Sequence, residues 1–306
     1  MQPILLNPFE KRGIILTSPR IKSKSPVMGL NNDGIFHDFS WSEEQIYEDN
    51  DNFFDALITC IDHAKFNIIL ATYIFNHDEL GKLILDRLIA AKNRGVDIRV
   101  LFDGFGSMVS GNQVARTLEE NEIPIKIFHP LPWQTENYHR ALYKRSWFGS
   151  FLSFMLKMNK RHHAKMCIVD NEKLWCGSQN ISLDHLTIDR SGANWHDLGA
   201  AVSGPGAKAV ADDFNDMWEA RKPRLGQGMF KYHWNNITTF SRQRKNKLLS
   251  EKLSNAKNKI WIINPYFSPP RKIMRGLKNA ARNGTDVRII VPEKSDISFF
   301  PLLTAT

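Results

Sequence analysis

The chemistry-bearing residues of this chain are concentrated in one stretch, Arg161-His162-His163-Ala164-Lys165-Met166-Cys167-Ile168-Val169-Asp170, followed closely by Gly177-Ser178-Gln179-Asn180. His163 and Lys165 are two apart, and residues i and i+2 of a strand share a face, so both side chains can enter one pocket. An imidazole can attack phosphorus as a nucleophile, while an ammonium neutralises the non-bridging oxygens as charge builds in the transition state. Met166–Val169 reads as a strand, Asn171-Glu172-Lys173 as a turn and Leu174-Trp175-Cys176 as the start of a return strand, which makes a hairpin. Ser178 and Asn180, also two apart and on the neighbouring strand, can donate hydrogen bonds to the same phosphate. A His-x-Lys-x4-Asp match alone is a modest signal. The Gly-Ser-x-Asn at hairpin distance makes it a candidate phosphodiester-attacking site. His162 would face the other side of the strand and is expected to be structural or on the surface.

The elements that must position these residues show a helix–strand alternation. Glu44–Ala64 has Ile46, Phe53, Phe54, Leu57, Ile58 and Ile61 near helical spacing. Phe66–Phe75 is an apolar run of β-formers that reads as a strand covered on both faces. Glu79–Asn93 is again helical, Gly95 stops it, and Val96–Phe102 is a second buried strand. This βαβ order predicts a largely parallel sheet flanked by helices. The pattern returns late in the chain: helix Leu248–Lys259, strand Ile260–Ile263, a Pro-rich turn, helix Arg271–Arg282 and a last strand. Gly284-Thr285-Asp286-Val287-Arg288-Ile289-Ile290 parallels Gly95-Val96-Asp97-Ile98-Arg99-Val100-Leu101. Tyr266-Phe267 is the counterpart of Tyr73-Ile74-Phe75. Such similarity indicates a duplicated architecture. Four stretches follow: an irregular N-terminal segment (1–45), a first lobe (46–225), a basic linker (226–247) and the start of a second lobe (248–306). The second copy stops at Thr306, well short of the distance at which the first places His163, so the second lobe is expected to be incomplete.

Composition narrows the partners without choosing one. Lys and Arg outnumber Asp and Glu by 41 to 32, a net charge of +9 that favours anionic lipid or nucleic acid. Cys60, Cys167 and Cys176 form no metal-binding pattern and read as buried thiols in a reducing compartment. No stretch approaches the roughly 20 apolar residues of a membrane-spanning helix, and no signal peptide is visible, so membrane contact is expected to be peripheral, at the inner face from the cytoplasm. Arg140–Arg161 has basic ends around an aromatic middle (Trp147, Phe148, Phe151, Phe154), the composition of an interfacial helix among anionic headgroups. An internal packed helix is the alternative. His77, His129, His139, His185, His196 and His233 show no metal-ligand spacing and are assigned no role.

Together, His163, Lys165 and Asp170 with Gly177-Ser178 and Asn180 resemble the phospholipase D superfamily signature, H-x-K-x4-D followed by G-S-x-N. The likeness extends further. Phe53–Ser107 looks like the opening unit of bacterial cardiolipin synthases, Trp195–Pro205 is similar to the strand that follows their first motif, and Ile260–Pro292 to the start of their second half. The resemblance implies an α/β fold of duplicated phospholipase D-like lobes. It implies His163 as the residue forming a phosphohistidine, and Lys165, Ser178 and Asn180 as phosphate holders. Asp170 completes the catalytic motif, though it is expected to order the hairpin rather than touch substrate. Asp197 falls where the family places an acid against the catalytic imidazole, fixing its tautomer. The implied activity is phosphatidyl transfer or phospholipid hydrolysis, with anionic phospholipid as substrate and no metal or organic cofactor.

Two alternatives remain open. One is a nuclease of the same superfamily, disfavoured by the aromatic and basic segment before the motif. The other is a catalytically incomplete fragment or non-enzymatic homologue. Enzymes of this superfamily pair two such motifs, one imidazole attacking and the other protonating the leaving oxygen. This sequence holds one, so poor turnover is expected of it alone, and a homodimer if the single motif is native.

Overall fold

The computed structural model describes residues 27–30, 36–39, 41–142, 161–219 and 239–291. The aromatic middle of the basic segment, Trp147 and Phe148 included, lies outside them. Strands β1 (Val27–Leu30) and β2 (Phe36–Phe39) pair antiparallel.

The main sheet has seven strands: β3 (Glu43–Tyr47), β4 (Asn67–Thr72), β5 (Asp97–Asp103), β6 (Ile125–Phe128), β7 (Met166–Val169), β8 (Lys173–Gly177) and β9 (Gly199–Ser203), in the order β3-β9-β8-β7-β4-β5-β6. It is mixed, as expected, but its parallel pairing is confined to β4–β5–β6. The other four contacts are antiparallel, which corrects the expectation of a mostly parallel sheet. The cause lies in the connections. Helices α2 (Glu79–Asn93) and α3 (Gly111–Glu120) carry the chain back between parallel strands, whereas β7 turns directly into β8 and no crossover helix separates β8 from β9.

Both faces of the sheet are covered, which explains the unbroken apolar run in β4. Ile68 and Leu70 join α1 (Asn50–Asp62), α2 and α3 in one core, and Ile69 and Ala71 join α4 (Pro205–Trp218) in the other. Each such Ile or Leu contributes about 1.5–3 kcal/mol by leaving water. The expected helix from Glu44 is shorter. Asp49 caps α1, its carboxylate accepting from the Asn52 N–H at 2.7 Å. Glu43–Tyr47 pairs with β9 instead, which leaves Ile46 nearly half exposed.

The second βαβ unit consists of α5 (Thr239–Ser254), β10 (Lys259–Ile263), α6 (Arg271–Arg282) and β11 (Asp286–Ile290), with β10 and β11 parallel. Helix α5 begins inside the stretch read as linker and ends before Lys259, which opens the strand. The two units share one register: Asn67 pairs with Asp97, and Lys259 with Asp286. Gly95 and Gly284 sit at φ 90° and 89°, a backbone that favours glycine and turns each helix into its strand. Among the described residues, no helix is long and apolar enough to cross a membrane.

Candidate active site

Seven strand ends meet at one end of the main sheet, because β3, β4, β5, β6 and β8 finish there and β7 and β9 begin there. His163 and Lys165 precede β7 at this end, outside the strand itself. Lys165 Nζ lies 3.3 Å from His163 Nδ1 and donates to the His163 carbonyl at 3.2 Å. Tyr73, just past β4, packs its ring 4.5 Å from the His163 ring and 5.3 Å from Lys165 Nζ. The two side chains are thus adjacent.

The electrostatics suit an uncharged imidazole beside a charged amine. Desolvation, then the Lys165 charge, pushes the His163 imidazole down to about 4 even though the residue as a whole is exposed. Desolvation pushes Lys165 down to about 8, against the opposing charges of Asp197 and Asp103.

Asp197 stands elsewhere than expected. Its Oδ2 meets His185 Nδ1 at 2.5 Å, and its Oδ1 accepts the Ser178 hydroxyl. His185 Nε2 accepts the Asn180 N–H at 3.0 Å, so the ring proton sits on Nδ1 and is donated to Asp197. Asp197 therefore orders His185, an imidazole that sequence reasoning left without a role, and the Nδ1 of His163 faces Lys165 instead. Burial works to raise the Asp197 carboxyl, but the His185 and Ser178 hydrogen bonds, with Lys165 nearby, hold it below its ordinary value. Ser178 consequently gives its proton to Asp197 rather than pointing it at an open phosphate position. Asn180 Oδ1 accepts from the Ile74 N–H at 3.2 Å, tying the loop after β8 to the loop after β4.

This loop is braced from below. Asn50, at the start of α1, donates to the carbonyls of His185 (2.8 Å) and Trp195 (2.6 Å), and Gln179 donates to Asn50 Oδ1 at 3.0 Å. All three polar groups that hold it, Asn50, Gln179 and His185, are buried.

Asp170 lies at the other end of the hairpin, about 16 Å of strand from Lys165 at 3.2–3.4 Å per residue. Its Oδ1 accepts the backbone N–H groups of Phe66 (2.7 Å), Lys65 and Asn67 (both 3.1 Å). Asp170 and Asn171 both have φ 55°, the left-handed pair of a tight hairpin turn. Asp170 thus orders the hairpin and does not belong with the reacting groups.

A second carboxylate does reach the site. Asp103, at the end of β5, is fully buried and accepts from the His162 N–H (3.0 Å), the Phe105 N–H (2.9 Å) and the Gly106 N–H (3.2 Å). It pins the backbone one residue before His163. Burial pushes its carboxyl up to about 6, against those three N–H groups and Arg161. His162 is buried against Phe128, not on the surface. The signal for Asp103 was a lone carboxylate closing an apolar strand, a costly placement without donors. The cations bounding the basic segment are both engaged: Arg140 with Glu119, and Arg161 with Asp103 and the Phe105 ring.

Known proteins match most of this chain. Residues 57–218 and 249–304 match the family described as cardiolipin synthase, PLD-like domain. A cardiolipin synthase of Listeria welshimeri is 27% identical over 276 residues, covering 84% of this chain and 53% of that protein. The major cardiolipin synthase of Bacillus subtilis is 27% identical over 285 residues, covering 88% and 55%. The chain spans about half the length of the curated relatives it matches. A phosphatidylserine synthase from Haemophilus influenzae has the same fold, with TM-score 0.56 at 15% identity over 81% of this chain and 61% of that one. The chain belongs to the cardiolipin synthase, PLD-like domain family.

Proposed function

We propose that this chain carries half of a phospholipid-processing site, in which His163 attacks the phosphorus of an anionic phospholipid and transfers a phosphatidyl group. The observation that supports it is the uncharged His163 imidazole set beside the Lys165 ammonium at the open end of the sheet, in a chain of this family. A ring nitrogen forms a P–N bond as the P–O bond to the departing alcohol breaks, and a general acid supplies that oxygen with its proton. An acceptor alcohol then attacks phosphorus, the P–N bond breaks, and the conjugate base of that acid takes the alcohol's proton. Water in place of the alcohol gives hydrolysis. In this reading the acid belongs to a second motif of the same kind.

Lys165 has two tasks in this reading. Before substrate it donates to His163 Nδ1, which keeps the ring proton on Nε2. A phosphate oxygen is the stronger acceptor and draws the ammonium away, freeing Nδ1 to hold the proton while Nε2 attacks. The His185–Asp197–Ser178 chain positions the loop rather than the nucleophile. The enzyme works peripherally, at the inner face of the membrane.

The pH profile follows from the sign of each shift. His163 must be neutral and stays so down to about pH 4, whereas Lys165 must be charged and loses its proton near 8. Activity is expected to fall above pH 8, steepest on the Lys165 limb, and a limb that stays put in Lys165→Arg would contradict the assignment. Thin-layer analysis of products from labelled phosphatidylglycerol, beside a plasmid-nicking assay, tests the substrate. Lipid products without nicking are expected, and nicking without lipid products would replace this reading by a nuclease.

A further inference from the structure

The two ends of the main sheet differ in a way the chemistry at His163 does not require. At the far end the turns carry Lys65, Arg94, Glu122, Asp170 and Glu172. At the His163 end, the loops after β5 (104–110) and after β6 (129–135) contain no Asp, Glu, Lys or Arg. They do contain Phe105, Met108, Val109 and Trp133, all exposed, with Val109 at 88% and Trp133 at 63%. Trp195 and Leu198, flanking Asp197, are half exposed at the same end.

The loops are built to stay in this position. Gly104 N–H donates to the Phe128 carbonyl at 2.9 Å, joining the loop after β5 to the end of β6. Ser107, buried, accepts the Phe75 N–H at 3.0 Å, and Ser110 accepts the His77 N–H at 3.0 Å. A side chain at Gly106 would strike the Tyr73 carbonyl at 2.3 Å, so this loop lies directly against the residue that packs on His163. Two carboxylates at this end, Asp103 and Asp197, are turned inward to their hydrogen-bond donors.

Exposed aromatic and aliphatic side chains ringing a cationic site, with Arg161 stacked over the Phe105 ring, form a surface that can enter the headgroup boundary of a bilayer while the cations meet lipid phosphates. We propose that this end of the sheet docks on an anionic lipid bilayer, with Phe105, Val109 and Trp133 inserted and Trp195 and Leu198 at the edge. The chain's net charge of +9 supplies the attraction. The proposal deepens the lipid reading of the site by naming how the site meets its substrate, and it rests on that reading only for the choice of anionic lipid.

The test is flotation of the full chain with vesicles of phosphatidylcholine containing phosphatidylglycerol. Phe105→Ser/Val109→Ser/Trp133→Ser is expected to weaken binding at least tenfold, as is the single charge insertion Val109→Glu to a smaller degree. Phe66→Ser, 70% exposed at the opposite end of β4, should bind like the parent chain. Binding by the triple variant equal to the parent would overturn the proposal. So would an equal loss with Phe66→Ser, or a rim substitution that breaks up a dimer in sedimentation while vesicle binding persists. Binding that needs the rim but is accompanied by no lipid turnover in any preparation would uphold the docking surface and defeat the lipid-processing reading instead.

Discussion

The units β4–α2–β5 and β10–α6–β11 share wiring, register and even the backbone angle of the glycine between helix and second strand, yet their surroundings differ. Leu101 in β5 is fully buried, whereas its counterpart in β11, Ile290, is 60% exposed. Ala71 is buried and its counterpart Ile263 is exposed. The first unit is flanked by the β7–β8 hairpin and α4, and among the described residues β10 pairs only with β11. The difference teaches that the βαβ unit is a platform. Chemistry arrives with the hairpin laid against it, which brings His163 and Lys165 to the end of β4.

The comparison can be broken most severely at the hairpin. His163→Ala should lower phosphodiester turnover by about three orders of magnitude or more, and Lys165→Ala by about a hundredfold. Comparable loss from a substitution in β10 or β11 would show that the second unit shares the chemistry. Next in size is burial. Leu101→Ala should cost about 2–5 kcal/mol in denaturant unfolding, and Ile290→Ala within about 0.5 kcal/mol. A large cost at Ile290 would reveal that the second sheet is covered.

Asp170→Ala removes the acceptor of three backbone N–H groups and should cost about 2–3 kcal/mol of stability. Beyond that stability cost, the turnover of folded protein should change little, which separates it from His163. Smallest is the matched glycine pair. Gly95→Ala and Gly284→Ala each meet open space, so each should cost about 1–2 kcal/mol from the backbone alone. Unequal costs in the two units would break the equivalence.

The legible parts were those in which one local force acts. Helix α2 runs over the expected Glu79–Asn93 because the Asp78 cap, the apolar spacing and Gly95 agree. The hairpin and the repeated Gly-x-Asp strands were equally readable. Strand β3 was hidden because it is an edge strand whose residues are almost all exposed, with no alternation to see. Asp197 was found but given the wrong imidazole, since spacing carries no record of how an irregular loop folds back. His185 and Asp197 meet within a loop that Asn50, more than a hundred residues earlier, holds by two of its carbonyls. Asp103 was legible only as an oddity, a carboxylate at the end of a buried strand, and its purpose appears once the His162 N–H reaches it.

The role of His163 can be tested without any general acid, because p-nitrophenolate departs from phosphorus without being protonated. With a phosphodiester bearing that group, a burst of p-nitrophenolate should match the appearance of a P–N adduct on the peptide containing His163, detected by mass spectrometry. Both should vanish in His163→Ala. An adduct on another residue, or a burst that survives His163→Ala, would contradict the assignment of His163 as nucleophile.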